Sequence, residues 1–331
     1  MSVAAEILDP VTNDRRGGMP HLLGLLTTAQ LRESGVSAER LPALVRRGEL
    51  AAISRGVYAT GETLRRIRSL RSGEALLASA AALATSGPGT VASHDSAAAI
   101  HGLDLLGRQP SAVAVTRAPG EGSRTGKTGV RMHAAALPAG HVTRRSGVPV
   151  TTVARTVVDL ARTLTFAAGV VAADSALRRR LTSKEELAAV LADCARWPGT
   201  CTAAAVVGFA DRLSESALES VARVEFSECG LPPPELQAWL GGGADAVRVD
   251  FLWRQFRTIA EVDGAIKYTE LALDPGWQAI KQLRRDSFLR ELGFEVVHFT
   301  WDDIVGDRAR VAAVLRAAFR RGSALQTGGA A

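Results

Sequence analysis

The chain reads as a multidomain α/β protein, and three features of its hydropathy pattern say so. At the front, two short amphipathic helical stretches precede a pair of strand-like segments. At the back, helix-period and strand-period segments alternate from about Ser216 to Phe319. Between them lies a mixed α+β region broken by turn signals such as Ser86-Gly87-Pro88-Gly89. The domain boundaries drawn from this pattern are 20–62, 74–200 and 212–322. A length of 331 residues allows two or three cores, at roughly 100–200 residues per domain.

In the front segment Thr27 opens a capping box with Gln30, and the helix it starts stops at Gly35. Ser37 is read as the cap of a second helix with Leu41, Leu44 and Val45 inward, ended by Gly48. That leaves Arg40, Arg46 and Arg47 outside. Leu50 to Ile53 and Gly56 to Ala59 flank Ser54-Arg55 as a small hairpin. The order is that of a winged helix-turn-helix, in which one helix enters the major groove and a basic wing grips phosphate.

The run Leu25-Leu26-Thr27, Leu44-Val45-Arg46-Arg47-Gly48 and Arg55-Gly56-Val57-Tyr58 resembles the N-terminal domain of AbiEi-type antitoxins of type IV toxin–antitoxin systems. Similarity continues through Ser93 to Ala99 and Thr151 to Arg162. The resemblance implies an operator-binding winged helix, with Ser37, Arg40, Arg46 and Arg47 on or near the recognition helix and Arg55 and Tyr58 on the wing. It also implies a toxin partner. A homodimer on paired half-sites is the corresponding expectation.

In the middle region, Glu74 to Leu106 reads as largely helical, Ser111 to Thr116 and Val130 to His133 as strands, and Gly120 to Gly129 as a Gly/Ser/Thr-rich loop. Helices are expected near Val153–Thr163, Ala172–Arg180 and Lys184–Ala195. His94, His101, His133 and His141 lack metal-binding spacing and read as structural. Gly241-Gly242-Gly243 has no following lysine and is a turn, not a phosphate loop.

The back segment carries the strongest chemical signal. Val247 to Trp253 alternates apolar residues with Arg248 and Asp250, and Ile259, Glu261 and Asp263 share one face of the next strand. With Arg254-Gln255 as a two-residue turn, Trp253 pairs with Phe256, Asp250 faces Ile259, and Glu261 is its diagonal neighbour at roughly 7–8 Å. Acids so placed are either solvated edge residues or ligands of a hard cation, Mg²⁺ being usual where phosphate is the substrate. The helix from Ser216 to Gly230 has Leu218, Val221, Val224 and Phe226 as buried positions. The helix from Gln278 to Leu292 has Ile280, Leu283, Phe288 and Leu292 on its apolar side and Lys281, Arg284, Arg285 and Arg290 on its polar side. Thr300 to Asp303 can cap the last helix.

The blocks Leu218-Glu219-Ser220, Gly230-Leu231-Pro232, Arg248 to Trp253, Glu261-Val262-Asp263-Gly264, Arg284-Arg285-Asp286 and Leu292 to Val296 resemble a family (DUF 559) related to very-short-patch-repair endonucleases, in the PD-(D/E)XK superfamily. The resemblance covers Ser214 to Phe319 and implies a restriction-endonuclease-like α/β/α domain. It makes Asp250 and Glu261 metal ligands, with Glu219 as a helix-borne acid near them. Its E-x-K lysine falls on Asp263; Lys267 or Lys281 are the substitutes within reach of the pattern.

With 40 basic and 34 acidic side chains, the net charge of +6 favours a polyanionic partner without requiring one. Met1 to Gly18 is polar and no apolar run reaches the roughly 20 residues of a membrane span, so a cytoplasmic protein without a membrane partner is expected. The three cysteines, Cys194, Cys201 and Cys229, are odd in number and read as reduced. Two functions fit. One is a Mg²⁺-dependent DNA endonuclease in which Glu219, Asp250, Glu261 and Asp263, with Lys267, form the catalytic set. The other is a non-catalytic, antitoxin-like repressor.

Overall fold

Thr27 starts the architecture with purely local chemistry. Its hydroxyl accepts from the Gln30 amide while the Gln30 side chain accepts from the Thr27 amide, closing the capping box ahead of helix α1 (Thr28–Glu33). The computed structural model describes residues 22–107, 112–119, 129–243, 246–263 and 275–328, with 275–279 and 326–328 described by backbone alone. The polar start from Met1 to Gly18, Gly120 to Thr128 of the expected loop, and Lys267 lie outside the described residues.

By Cα proximity the chain divides into two units, one formed by residues up to Thr163 with 182–203, the other by 164–181 with 204–331. The expected middle region is therefore shared: the helix Phe166–Arg178 belongs with the second unit.

In the first unit, β1 (Leu26–Thr27), α1, α2 (Arg40–Arg46), β2 (Ala51–Ser54) and β3 (Val57–Ala59) give a three-stranded sheet in the order β1-β3-β2. Leu26, Leu31, Val36, Leu44 and Leu50 form its own buried cluster, with Tyr58 half-buried against it. The second helix begins three residues after Ser37, whose hydroxyl accepts from the Arg40 amide at 3.3 Å and so closes the preceding turn. Helices α3 (Gly61–Arg68) and α4 (Gly73–Leu83) lead to β4 (Val91–Ala92), α5 (His94–His101), β5 (Val113–Arg117), β6 (Val130–Ala134), β7 (Val142–Arg145), β8 (Val148–Thr151) and α6 (Val153–Thr163). These strands make a mixed five-stranded sheet, β6-β5-β4-β8-β7. β4 is two residues long and the β7–β8 hairpin lies between clearer signals; neither was expected. One core joins wing and sheet: Leu25, Val57 and Ile67 pack with Leu76, Leu77, Ala80, Val115 and Val150.

The second unit contains α7 (Phe166–Arg178), which follows α6 in the chain. Helix α8 (Lys184–Asp193) returns to the first unit, and α9 (Thr200–Phe209) runs across the division in sequence. Then come α10 (Ala217–Glu228), β9 (Glu235–Leu240), β10 (Val247–Trp253), β11 (Thr258–Asp263), α11 (Pro275–Glu291), β12 (Glu295–Thr300), α12 (Trp301–Gly306) and α13 (Arg308–Gly328). The sheet order is β12-β11-β10-β9, antiparallel except for the β11–β12 pair, which α11 connects. Leu218, Val221, Val224 and Phe226 are buried as expected, and Thr300 makes a capping box with Asp303. The buried pair Asp174–Arg223 (2.8 Å) ties α7 to α10. Gly322 lets α13 lie directly on the β10–β11 turn: a Cβ there would sit 2.1 Å from the Phe256 carbonyl oxygen.

Two expectations are corrected. The β10–β11 turn has four residues, a 3-10 turn over Arg254–Phe256 and then Arg257 at φ 41°, so Trp253 pairs with Thr258 rather than Phe256. In α11, Ile280 and Leu283 are 51% and 65% exposed. The inward stripe is Gln282, Arg285, Asp286 and Leu289, at helical spacing but mostly polar, because it faces a carboxylate site rather than a core.

Candidate functional site

The corrected register sets the geometry of the acids. Phe251 pairs with Ala260, so continuing one step places Asp250 directly across from Glu261, not on its diagonal. On the other side of β10 the register places Gln237 across from Asp250, and β12 pairs His298 with Glu261. Residues opposite one another across strands share a face. Gln237, Asp250, Glu261 and His298 thus form one polar row running across the whole sheet.

Each member is held from outside the row. Gln237 has φ 51°, a left-handed conformation costing on the order of 1–3 kcal/mol for a non-glycine residue. Its side-chain amide donates to Glu219 at 2.9 Å and to Asp250 at 3.3 Å. Glu219, 5% exposed at the start of α10, also accepts from the Glu215 amide and the Ser216 hydroxyl. Asp250 accepts from the Val262 amide at 3.0 Å. The Arg285 guanidinium from α11 donates to Glu261 at 2.8 Å. His298 joins Asp286 at 3.0 Å and lies 3.6 Å from Asp263.

Burial and then the charge of Asp250 push the Glu261 carboxyl up to about 8, against the pull of Arg285. Glu219 is raised for the same first reason, burial. His298 is raised by the neighbouring Asp263 carboxylate and by Asp286, against burial. A cavity of about 670 Å³ opens over the row, with Arg248, Lys281 and Arg285 among its lining residues and the 63% exposed Trp239 at its edge.

The donor set can be tested against the Mg²⁺ expected from sequence. Among the described residues no three His, Cys, Asp or Glu side chains form a ready metal cage. Two opposed carboxylates, one held protonated near neutrality by burial and then by the anion beside it, do fit a dication that keeps several waters and adds substrate phosphate oxygens. Asp250 and Glu261 would hold such an ion. Asp263, two residues beyond Glu261 at the end of β11, lies beside His298 and outside the cross-sheet row. Lys281 lines the cavity. Gln237, Arg285 and His298 were missed from sequence; Arg285 stands in one of the quoted blocks, while Gln237 carries no signal in the pattern.

At the front, Ser37, Arg40, Arg46, Arg47 and Arg55 are all exposed around α2 and the β2–β3 turn. Arg47 is bound to Glu49 at 2.6 Å. Tyr58 is half-buried on the helical cluster, so much of its ring serves packing.

Two family models match the chain, at its front and in its middle. A family model described as "Transcriptional regulator, AbiEi antitoxin" matches residues 21–61, and one described as "AbiEi antitoxin C-terminal domain" matches residues 90–198. The resemblance of those two segments is thereby borne out. Two Mycobacterium tuberculosis proteins, "Uncharacterized protein MT2308" of strain CDC 1551 / Oshkosh and "Uncharacterized protein Rv2248" of strain ATCC 25618 / H37Rv, are each 34% identical over 171 residues. The match takes in 51% of this chain and 61% of each relative, about three fifths of their length. A crystal structure of the RV2827C protein from Mycobacterium tuberculosis aligns at 17% identity with a TM-score of 0.37, over 62% of this chain and 76% of that one. Among the described residues no helix is long and apolar enough to cross a membrane.

Proposed function

We propose that the chain is a DNA-binding transcriptional regulator of the antitoxin type. The observation that carries this is the exposed arginine set of α2 and the wing, standing on a helix-turn-helix with its own closed core in the segment that the regulator family model matches. Helix α2 enters a major groove, with Arg40 and Arg46 at its edges and Arg55 on a phosphate beside it. A cognate toxin is the protein partner, and a homodimer reads paired half-sites. Fluorescence anisotropy on DNA from the chain's own promoter tests this: tight, salt-sensitive binding is expected, and equal affinity for scrambled DNA would overturn sequence-specific regulation.

The row on the second sheet favours a second activity, metal-dependent hydrolysis of a phosphodiester. Asp250 and Glu261 would hold the ion, and Gln237 fixes Asp250 relative to Glu219. Bound there, Mg²⁺ supplies Lewis acidity at the phosphate. Arg285 and Lys281 offer positive charge at the cavity wall, where the E-x-K lysine is replaced by Asp263. Calorimetric titration of Mg²⁺ and Mn²⁺ into wild type and Glu261→Ala, with DNA cleavage followed on the same samples, decides it. Binding lost in the variant with cleavage by wild type establishes the activity; no binding by wild type leaves a regulator with a silent sheet.

A further inference from the structure

The first unit holds a second cavity, about 410 Å³, in the region 90–198 and unrelated to the acid row. One wall is a pair of histidines. His94 follows β4 at φ 48°, and its ring stacks on that of His133 from β6, centroids 3.7 Å apart and 15° from parallel. Thr116 donates to the Ser93 hydroxyl at 2.7 Å, and Nδ1 of His94 lies 3.0 Å from that same hydroxyl. Burial first, then the charges of His133, Arg155, Arg162 and Arg131, take His94 down to about 3, and burial lowers His133 as well. Both rings are neutral at pH 7.

Another part of the lining is cationic and aromatic. Trp197 has the Arg155 and Arg162 guanidinium groups over its ring at 4.7 and 4.9 Å. Among the described residues the two guanidinium groups share the one carboxylate of Asp159, at 2.8 and 3.2 Å, beside a cavity whose remaining lining, Thr163, Pro119, Pro198 and Ala134 to Ala136, is largely apolar. Two buried nitrogens at this site, His133 Nε2 and Arg155 Nη2, have no hydrogen-bond partner among the described residues. The packing of α6 explains the Arg155–Asp159 pair. It does not explain a stacked histidine pair lining the same cavity as Arg162 and Trp197.

We propose that this cavity binds a small planar organic anion, a flat unsaturated ring bearing one acidic group, with the ring against the His94–His133 stack and the acidic group toward Arg162. A metal ion is disfavoured by the geometry, because rings stacked face to face do not converge their nitrogens on one point. A planar cation is disfavoured by the charge. The volume falls within the roughly 300–1,000 Å³ typical of small-molecule sites.

The test is calorimetry on the full chain with four probes: salicylate, phenyl phosphate, benzamidine and inorganic phosphate. Salicylate or phenyl phosphate should bind, and which of the two does so identifies the acid as carboxylate or phosphate. Benzamidine and inorganic phosphate should not. Arg162→Gln should weaken binding by about tenfold or more, with thermal melting confirming that the variant is folded. Ala134→Phe, at an exposed position on the cavity lining, should block the site by filling it. Failure of both planar anions to bind, equal binding of benzamidine, or binding unchanged in both variants would each overturn the proposal.

Discussion

Glu261 is where a single side chain speaks most directly about the site. Its carboxyl is ordinary in the unfolded chain and rises to about 8 in the fold. Between those two values the folded chain holds a proton that the unfolded chain has released, so this group's contribution to stability is complete below about 4.5 and is lost as pH climbs to 8. Glu261→Gln keeps a neutral group at all pH values. In metal-free buffer it should melt later than wild type above pH 8, by on the order of 2 kcal/mol once coupling to Asp250 and Arg285 is discounted. The two should converge as pH falls toward the ordinary carboxylate range. A variant less stable than wild type at alkaline pH would mean that the acids do not repel one another as the row implies. The row itself was only partly legible in sequence. Asp250 and Glu261 stand out because strand periodicity puts charge where apolar residues are expected. Their true pairing depends on Arg257 adopting a left-handed conformation that nothing in its side chain announces, and Gln237 depends on another.

Elements fail or succeed on their contact faces. Helix α2 exposes Arg46, whereas the neighbouring Arg47 is engaged with Glu49. Arg46→Ala should therefore lower the salt dependence of DNA binding by about one unit of slope, and Arg47→Ala by less. Equal slopes in wild type and Arg46→Ala would remove this helix from the interface. In the second unit, Asp174 is fully buried and serves both Arg223 and the Asp211 amide. Asp174→Ala strands the Arg223 charge, and urea unfolding should show a loss of about 3–5 kcal/mol. Gly322→Ala forces α13 off the β10–β11 turn and should cost about 1–3 kcal/mol by the same measurement. The Thr27 and Thr300 capping boxes were readable because a cap is local chemistry within four residues. The face of α11 was not, because its inward stripe is built of polar groups that answer a site and not a core.

Across the whole molecule, the two proposed activities sit on different units. Asp250→Ala should abolish Mg²⁺ binding in calorimetry and leave DNA affinity within about twofold of wild type. Simultaneous loss of both would mean that the units are not independent. The sequence divides the chain by pattern, at Thr60 or so and again near 200. Burial draws the line elsewhere, because Leu25, Val57 and Ile67 share one core with α4 and strands β5 and β8. That shared core has a practical meaning for anyone who would cut the chain. A fragment ending after β3 would keep the cluster beneath its two helices, yet strip the cover from Leu25 and Val57 and present fresh grease to water. It should come out of the cell insoluble, whereas a fragment carried through Thr163 brings the cover of that core and the helix α6 with it. The segment proposed to read DNA is, in handling, inseparable from the helix and strands that cover it.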